Sequence, residues 1–301
     1  MTLAALFIVA AATFAALVLF VWWKQERIVF QPTRGPHPEV LDVERVTYTA
    51  EDQQPLFAFV IRPPQRAVVV EEPGVDRSHS PAPIPDSLFL IAFHGNADLA
   101  AWVIPWAKEV ARRTERVVML AEYRGYGGLP GVPTVDGVRL DSRAAFRYAR
   151  DSLGANSKGI ALYGHSLGSA IAAELAAKTG PEVLILESPF TSARAMARIV
   201  VARPVELVWG MISRVHYDTE ARVKEIDVPV WVAHGTRDMV IPVRMGQRVY
   251  RAAKRKGEFL LVSGAGHNDV AVTAGESYWR WISGALDRRG GLVGAGGGSV
   301  E

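Results

Sequence analysis

The sequence predicts an α/β fold with a mostly parallel central sheet, helices on both faces and a small helical cap. Three observations carry that expectation. From Leu88 onward, short apolar runs alternate with longer helical patterns, as parallel strands joined by crossover helices do. The runs in "SLFLIAF", "KGIALYG" and "VPVWVAHG" are apolar throughout, as strands buried on both faces must be. A length of 301 residues with 49% hydrophobic content suits one large domain and leaves two cramped.

In chain order, the first element is "LAALFIVAAATFAALVLFVWW", an uncharged run from Leu3 to Trp23. At roughly 1.5 Å per residue it is long enough to cross a ~30 Å hydrocarbon layer, and Trp22 and Trp23 suit the interface that ends it. A cleavable signal peptide and a buried core helix are the alternatives. The first is disfavoured because no Lys or Arg precedes the run and no small-residue cleavage pattern follows it. Residues 1–23 are therefore expected to be a single-pass membrane anchor that contributes location and not chemistry. Lys24, Arg27 and Arg34 follow it, so the positive-inside rule favours a cytoplasmic location for the domain that follows.

Residues 24–44 read as a linker, marked by "TRGPHPEV", and residues 45–288 as the main domain, to which the chemistry below belongs. That domain opens with strands in "RVTYTA", "LFAFVIR" and "AVVV", then a polar insertion, "EEPGVDRSHSPAPIPDS". Residues 289–301 are a Gly-rich tail without a motif. Between Glu187 and Val228 lies a segment too long for one crossover helix, expected to form a cap at about 190–226. Its residues Ile199, Val200, Val201, Val205, Leu207, Val208, Trp209, Met211 and Ile212 are expected to line an acyl pocket above Ser166, the alternative being a helix pair packed on its own core.

The chemistry centres on "LYGHSLGSA". A strand entering a helix through a tight turn needs flanking residues without side chains, and Gly164 and Gly168 stand there around Ser166. The motif is weak alone, since the chain has 27 glycines and a serine at a helix start is usually a cap. Its setting, strand "KGIALYG" and then helix "SLGSAIAAELAAKTG" ending at Gly180, strengthens it. A serine hydroxyl also needs a base, an orienting carboxylate and an oxyanion hole.

Of 7 histidines, His37 and His79 lie in proline-rich segments, His216 lacks strand or glycine context, and His165 is the variable residue of the elbow. His267 follows strand "EFLLV" and a run of small residues, and is the candidate base. Asp238 follows strand "VPVWVAHG" and is the candidate acid, with Glu187 as runner-up, though Glu187 reads better as structural or pocket-lining. Asp269, two residues past His267, reads as a loop-fixing carboxylate. The oxyanion donors are expected to be the N–H of Leu167 and of Asn96 or Ala97, with Gly95 letting the chain turn and His94 beneath the hole.

Together "FHGN", "EYRGYGGLPG", "GHSLGSA", "HGTRDMVIP" and "GAGHND" identify the chain as similar to alpha/beta-hydrolase-fold serine hydrolases over residues 45 to 288. It most resembles their N-terminally anchored, single-domain members: acylglycerol and lysophospholipid lipases, carboxylesterases and depalmitoylases. The resemblance puts the nucleophile on Ser166, the acid on Asp238, the base on His267 and the oxyanion donors on Leu167 and Asn96. Glu122 and Ser169 depart from the common pattern without touching a triad position. The implied activity is cleavage of carboxylic ester or thioester bonds of lipid-like or acylated substrates through an acyl-enzyme. A serine peptidase or amidase on the same fold, or a catalytically idle binding module, remains open.

A net charge of +3 with scattered Lys and Arg gives no nucleic-acid stripe. The absence of cysteine excludes disulfides and thiolate metal sites. No phosphate-cradling loop or metal-spaced histidine pair is present, so no nucleotide, metal or other cofactor is expected.

Overall fold

A computed structural model describes residues 2–64 apart from 34, 36, 37 and 41, then residues 88–200 and 203–287. The strand expected in "AVVV", the polar insertion, the Gly-rich tail, His37, His79, Val201 and the Val205 side chain lie outside the described residues.

The strands are β1 (Glu44–Thr49), β2 (Pro55–Ile61), β3 (Phe89–Phe93), β4 (Val117–Ala121), β5 (Ile160–His165), β6 (Leu184–Glu187), β7 (Pro229–Gly235) and β8 (Arg255–Val262). The helices are α1 (Leu3–Val29), α2 (Ile104–Thr114), α3 (Val135–Asp151), α4 (Leu167–Thr179), α5 (Ala193–Val200), α6 (Arg203–Ile212), α7 (Thr219–Glu225), α8 (Val243–Ala252), α9 (Val270–Ala274) and α10 (Glu276–Leu286). One sheet of eight strands runs in the order β1-β2-β4-β3-β5-β6-β7-β8. Only the pairings of β2 with β1 and β4 are antiparallel, so the sheet from β4 to β8 is parallel.

Alternation along the central strands divides the interior into two cores. Phe89, Ile91 and Phe93 of β3 join Leu162 and the apolar stripes of α3 and α4, whereas Leu90 and Ala92 join Tyr163, α2 and α10 on the opposite face. The carboxyl ends of β3, β5, β7 and β8 therefore open on one edge between the layers, where parallel α/β sheets hold their ligands.

The N-terminal helix runs past Trp23, where the expected anchor ended, and stops at Val29. Lys24-Gln25-Glu26-Arg27 are good helix formers, and Pro32 forces extended backbone on the residue before it, so the helix closes just short. Its last turns dock on the domain. Val21, Gln25 and Phe30 are buried, and Gln25 Oε1 accepts the Arg214 N–H. The Phe30 ring meets Tyr217 edge-on at 6.3 Å, a burial that stabilises by about 1.5–3 kcal/mol. Over its most apolar 18 residues the mean hydropathy is 2.7 and only 6% is buried, which makes α1 a candidate membrane span by length and composition.

Candidate active site

Ser166 sits on the turn between β5 and α4 at φ 53° and ψ −116°, outside the regions an L-residue prefers. The two glycines make the turn fit. A Cβ on Gly164 would lie 2.2 Å from the Gly168 carbonyl oxygen, and one on Gly168 would lie 2.0 Å from that of Phe93. The strain is held by neighbours: the Ser166 N–H donates to Glu187 O at 3.0 Å, and Ser169 Oγ donates to Ser166 O at 2.6 Å. Ser169, which departs from the common glycine, thus braces the elbow.

Three side chains from three strand ends then meet. Ser166 Oγ lies 2.9 Å from His267 Nε2, and His267 Nδ1 lies 2.8 Å from Asp238 Oδ2. Asp238 Oδ1 accepts the N–H groups of Val240 and Ile241, so the carboxylate cannot rotate away. Burial opposes its charge. The bonds from His234, His267 and Ile241 outweigh that and hold the Asp238 carboxyl well below the usual carboxylate range. Glu187, the runner-up acid, faces elsewhere: its Oε2 accepts from Tyr163 OH at 2.9 Å and Tyr278 OH at 2.7 Å. Asp269 accepts the Gly266 N–H at 2.6 Å and ties the loop carrying His267.

The turn after β3 lies across from the elbow, with Gly95 close enough that a Cβ there would stand 3.0 Å from His165 Nδ1. The Leu167 N–H, at the first position of α4, precedes any intrahelical acceptor. Between the two sequence candidates on the other loop, the Ala97 N–H is engaged by Asn96 Oδ1 at 3.2 Å, whereas the Asn96 N–H has no acceptor among the described residues.

"EYRGYGG" builds this turn from behind. Glu122 bonds His94 Nε2 at 2.7 Å and accepts the Ala100 N–H, Tyr123 OH donates to His94 O, and Tyr126 OH donates to Asn96 Oδ1. Burial opposes charge on His94, yet the Glu122 carboxylate wins and raises the imidazole above its ordinary range. Its second nitrogen contacts Gly95 O at 2.9 Å, so His94 is a buried strut beneath the turn.

A cavity of about 700 Å³ opens onto Ser166 and His267. Trp102, Val103, Trp106, Tyr163, Ala271 and Val272 give it apolar walls, and Glu187 and His165 add polar ones. Among the described residues, none of the cap side chains expected to line an acyl pocket is part of its lining. In the α5–α6 hairpin, Trp209 and Val208 are buried, α6 packs against α1, and Glu206 pairs internally with Arg198 at 3.0 Å. α6 thus packs against α1 and α5 packs against α6, which periodicity alone could not reveal.

Two histidines missed as site residues support this geometry. His234 Nε2 stands 3.2 Å from Asp238 Oδ2, at the end of the very strand that delivers the acid. His165 Nε2 bonds His267 O at 3.1 Å, the two rings lie 5.1 Å apart, and burial lowers the His165 pKa, which favours the neutral ring. The position of His234 inside a strand was the one available signal.

No protein-family model matches the chain. It is 29% identical to an uncharacterized protein of Mycobacterium tuberculosis, Rv2307c, over 89% of each chain. It is 29% identical to human alpha/beta hydrolase domain-containing protein 17B over 62% of this chain and 63% of that one. With alpha/beta hydrolase domain-containing protein aho-3 of Caenorhabditis elegans it shares 31% identity, spanning 56% of that protein. Among solved structures it resembles the Pyrococcus furiosus esterase Pf2001, with TM-score 0.62 and 19% identity over 86% of this chain and 98% of that one. The chain has the alpha/beta-hydrolase fold, and these likenesses support hydrolase activity in general.

Proposed function

We propose that this protein is a membrane-anchored serine hydrolase that cleaves carboxylic ester or thioester bonds of lipid-like or acylated substrates. The observation that carries this reading is the unbroken chain Ser166 Oγ, His267, Asp238, at 2.9 and 2.8 Å, opening on an apolar cavity of drug-sized volume.

His267 Nε2 takes the Ser166 hydroxyl proton as Oγ attacks the carbonyl carbon, and the π electrons move onto the carbonyl oxygen. Asp238 holds the resulting imidazolium through Nδ1–H. The N–H groups of Leu167 and Asn96 receive the oxyanion. The tetrahedral intermediate then collapses, the carbon–oxygen or carbon–sulfur bond breaks, and the leaving group takes its proton from His267. Water, losing a proton to the same imidazole, attacks the acyl-serine and frees the acid and Ser166. The acyl chain lies along Trp102, Val103, Trp106 and Val272.

The membrane reading draws on α1 and on what stands beside it. Ile199, Val200, Leu207 and Met211 of the α5–α6 hairpin are exposed, and α6 packs against α1, so this face suits a bilayer surface. Lys24 and Arg27 after the span favour a cytoplasmic domain.

Fluorophosphonate labelling followed by hydrolysis of p-nitrophenyl esters of increasing chain length tests the proposal. Covalent labelling at Ser166 with ester turnover is expected. Unlabelled Ser166 in a protein that still turns over esters would overturn it.

A further inference from the structure

The segment leaving α1 is bonded directly to the turn that carries the Asn96 N–H. The Asn96 side chain is shared between them. Its Nδ2 donates to Val29 O at 2.7 Å, and its Oδ1 accepts the Gln31 N–H at 2.9 Å and Tyr126 OH at 2.7 Å. One residue on, Thr33 Oγ1 donates to Ala97 O at 2.7 Å, and the Gly127 N–H donates to Thr33 O at 3.1 Å. Ala97 holds a left-handed φ of 56°, a conformation that a residue with a Cβ keeps only when its surroundings enforce it.

Three of those restraints come from residues 29–33, more than sixty residues away in sequence, and Tyr126 adds a fourth from nearer by. Residues 29–33 are anchored in turn. Phe30 is buried against Tyr217, Gln25 is tied to Arg214, and Glu26 Oε1 accepts the Val135 N–H at 3.2 Å. A displacement of the last turn of α1 would therefore move the Val29 carbonyl and the Gln31 N–H, and with them the Asn96 side chain and the peptide that follows Gly95.

We propose that residues 29–33, acting through the Asn96 side chain, are the positioning element of the oxyanion turn, so that the end of α1 sets the turnover of the site as well as its location. This rests on the serine-hydrolase reading. Asn96 plays two parts in it: its backbone N–H meets the oxyanion, and its side chain only holds that N–H in place. Preorganised donors act mainly on the transition state, so loss of the brace lowers kcat while leaving substrate binding in the apolar cavity unchanged.

The test uses the full-length chain and three variants. Thr33→Val is nearly isosteric and removes only the bond to Ala97. Gln31→Pro removes the N–H donor, and Phe30 at φ −87° and ψ 120° already has the extended backbone that a following proline requires. Asn96→Ala removes the shared side chain. The readouts are kcat and KM on p-nitrophenyl butyrate, the rate of fluorophosphonate labelling, and the thermal midpoint. Loss of one oxyanion donor costs about 10²–10³ in kcat, so a displaced donor should cost roughly tenfold to a hundredfold in Asn96→Ala and about threefold to tenfold in each segment variant. KM should stay within about twofold, and labelling should slow in step with kcat. Wild-type kcat in folded Thr33→Val and Gln31→Pro would overturn the proposal, as would a raised KM at unchanged kcat. In either case labelling of Ser166 and the inactivity of Ser166→Ala would leave the hydrolase reading standing. An active Ser166→Ala would instead remove both.

Discussion

Two apolar regions of the molecule, the walls beside Ser166 and the α5–α6 hairpin, differ in what they pack against. The apolar walls of the cavity come mainly from α2, the short turn before it, and α9, and they stand beside Ser166. The α5–α6 hairpin is also amphipathic, but α6 packs against α1, and the hairpin leaves Met211 85% and Val200 73% exposed. Composition cannot tell these regions apart, because an amphipathic stripe records that a partner exists and not which one. The difference teaches where substrate and bilayer would each be met: the acyl chain by the α2–α9 walls, the membrane by the hairpin and α1.

The largest expected effect concerns the centre that both regions serve. Ser166→Ala should lower ester turnover by about 10⁶ with the thermal midpoint nearly unchanged, as for other triads; residual activity above a few per cent would break the assignment. Next, Asp238→Asn should cost roughly 10⁴ at neutral pH by spoiling the imidazole tautomer. Glu187→Gln should cost far less, since its carboxylate faces Tyr163 and Tyr278; the reverse ranking would make Glu187 the acid.

The comparison of the two regions is sharpened by crossing two substitutions with two substrates. Val272→Trp, at an exposed cavity wall, should cut turnover of long-chain relative to short-chain p-nitrophenyl esters by about tenfold, the scale at which pockets discriminate chain length. Met211→Asp should leave both soluble esters untouched and reduce turnover of vesicle-embedded esters by roughly tenfold, within the ~1.5–3 kcal/mol of one buried apolar side chain. If Met211→Asp changed chain-length preference in solution, the hairpin would belong to the pocket after all.

The smallest effect is on stability against pH. The folded Asp238 carboxyl titrates below its ordinary value of 3.8, so its contribution is fully present above that value and fades as pH falls through the folded one. The margin in thermal midpoint between the wild type and Asp238→Asn should be constant above about pH 5 and shrink below about pH 4. A margin that grew on acidification would mean that the carboxyl is held protonated.

Much of the candidate site was legible before any coordinates because its parts are local. Gly164 and Gly168 around Ser166 answer a clash within one turn, and Asp238 and His267 each follow an apolar strand that must end at the same edge of a parallel sheet. Which distant groups meet, by contrast, depends on how the whole chain folds. Nothing in the period of residues 203–212 says that this helix packs against α1 and not over Ser166. Good helix formers from Lys24 to Arg27 let α1 run on into the expected linker, but nothing near them says that Val29, Gln31 and Thr33 reach Asn96 and Ala97. His234 and His165 look like an interior strand residue and an elbow filler until Asp238 and His267 are folded beside them. Local sterics and strand order are written in adjacent residues, so the fold class and the strand–turn–helix elbow around Ser166 could be read from the chain alone. The partner of an apolar stripe or of a lone Asn side chain depends on the packing of the whole chain, and only the folded molecule decided it.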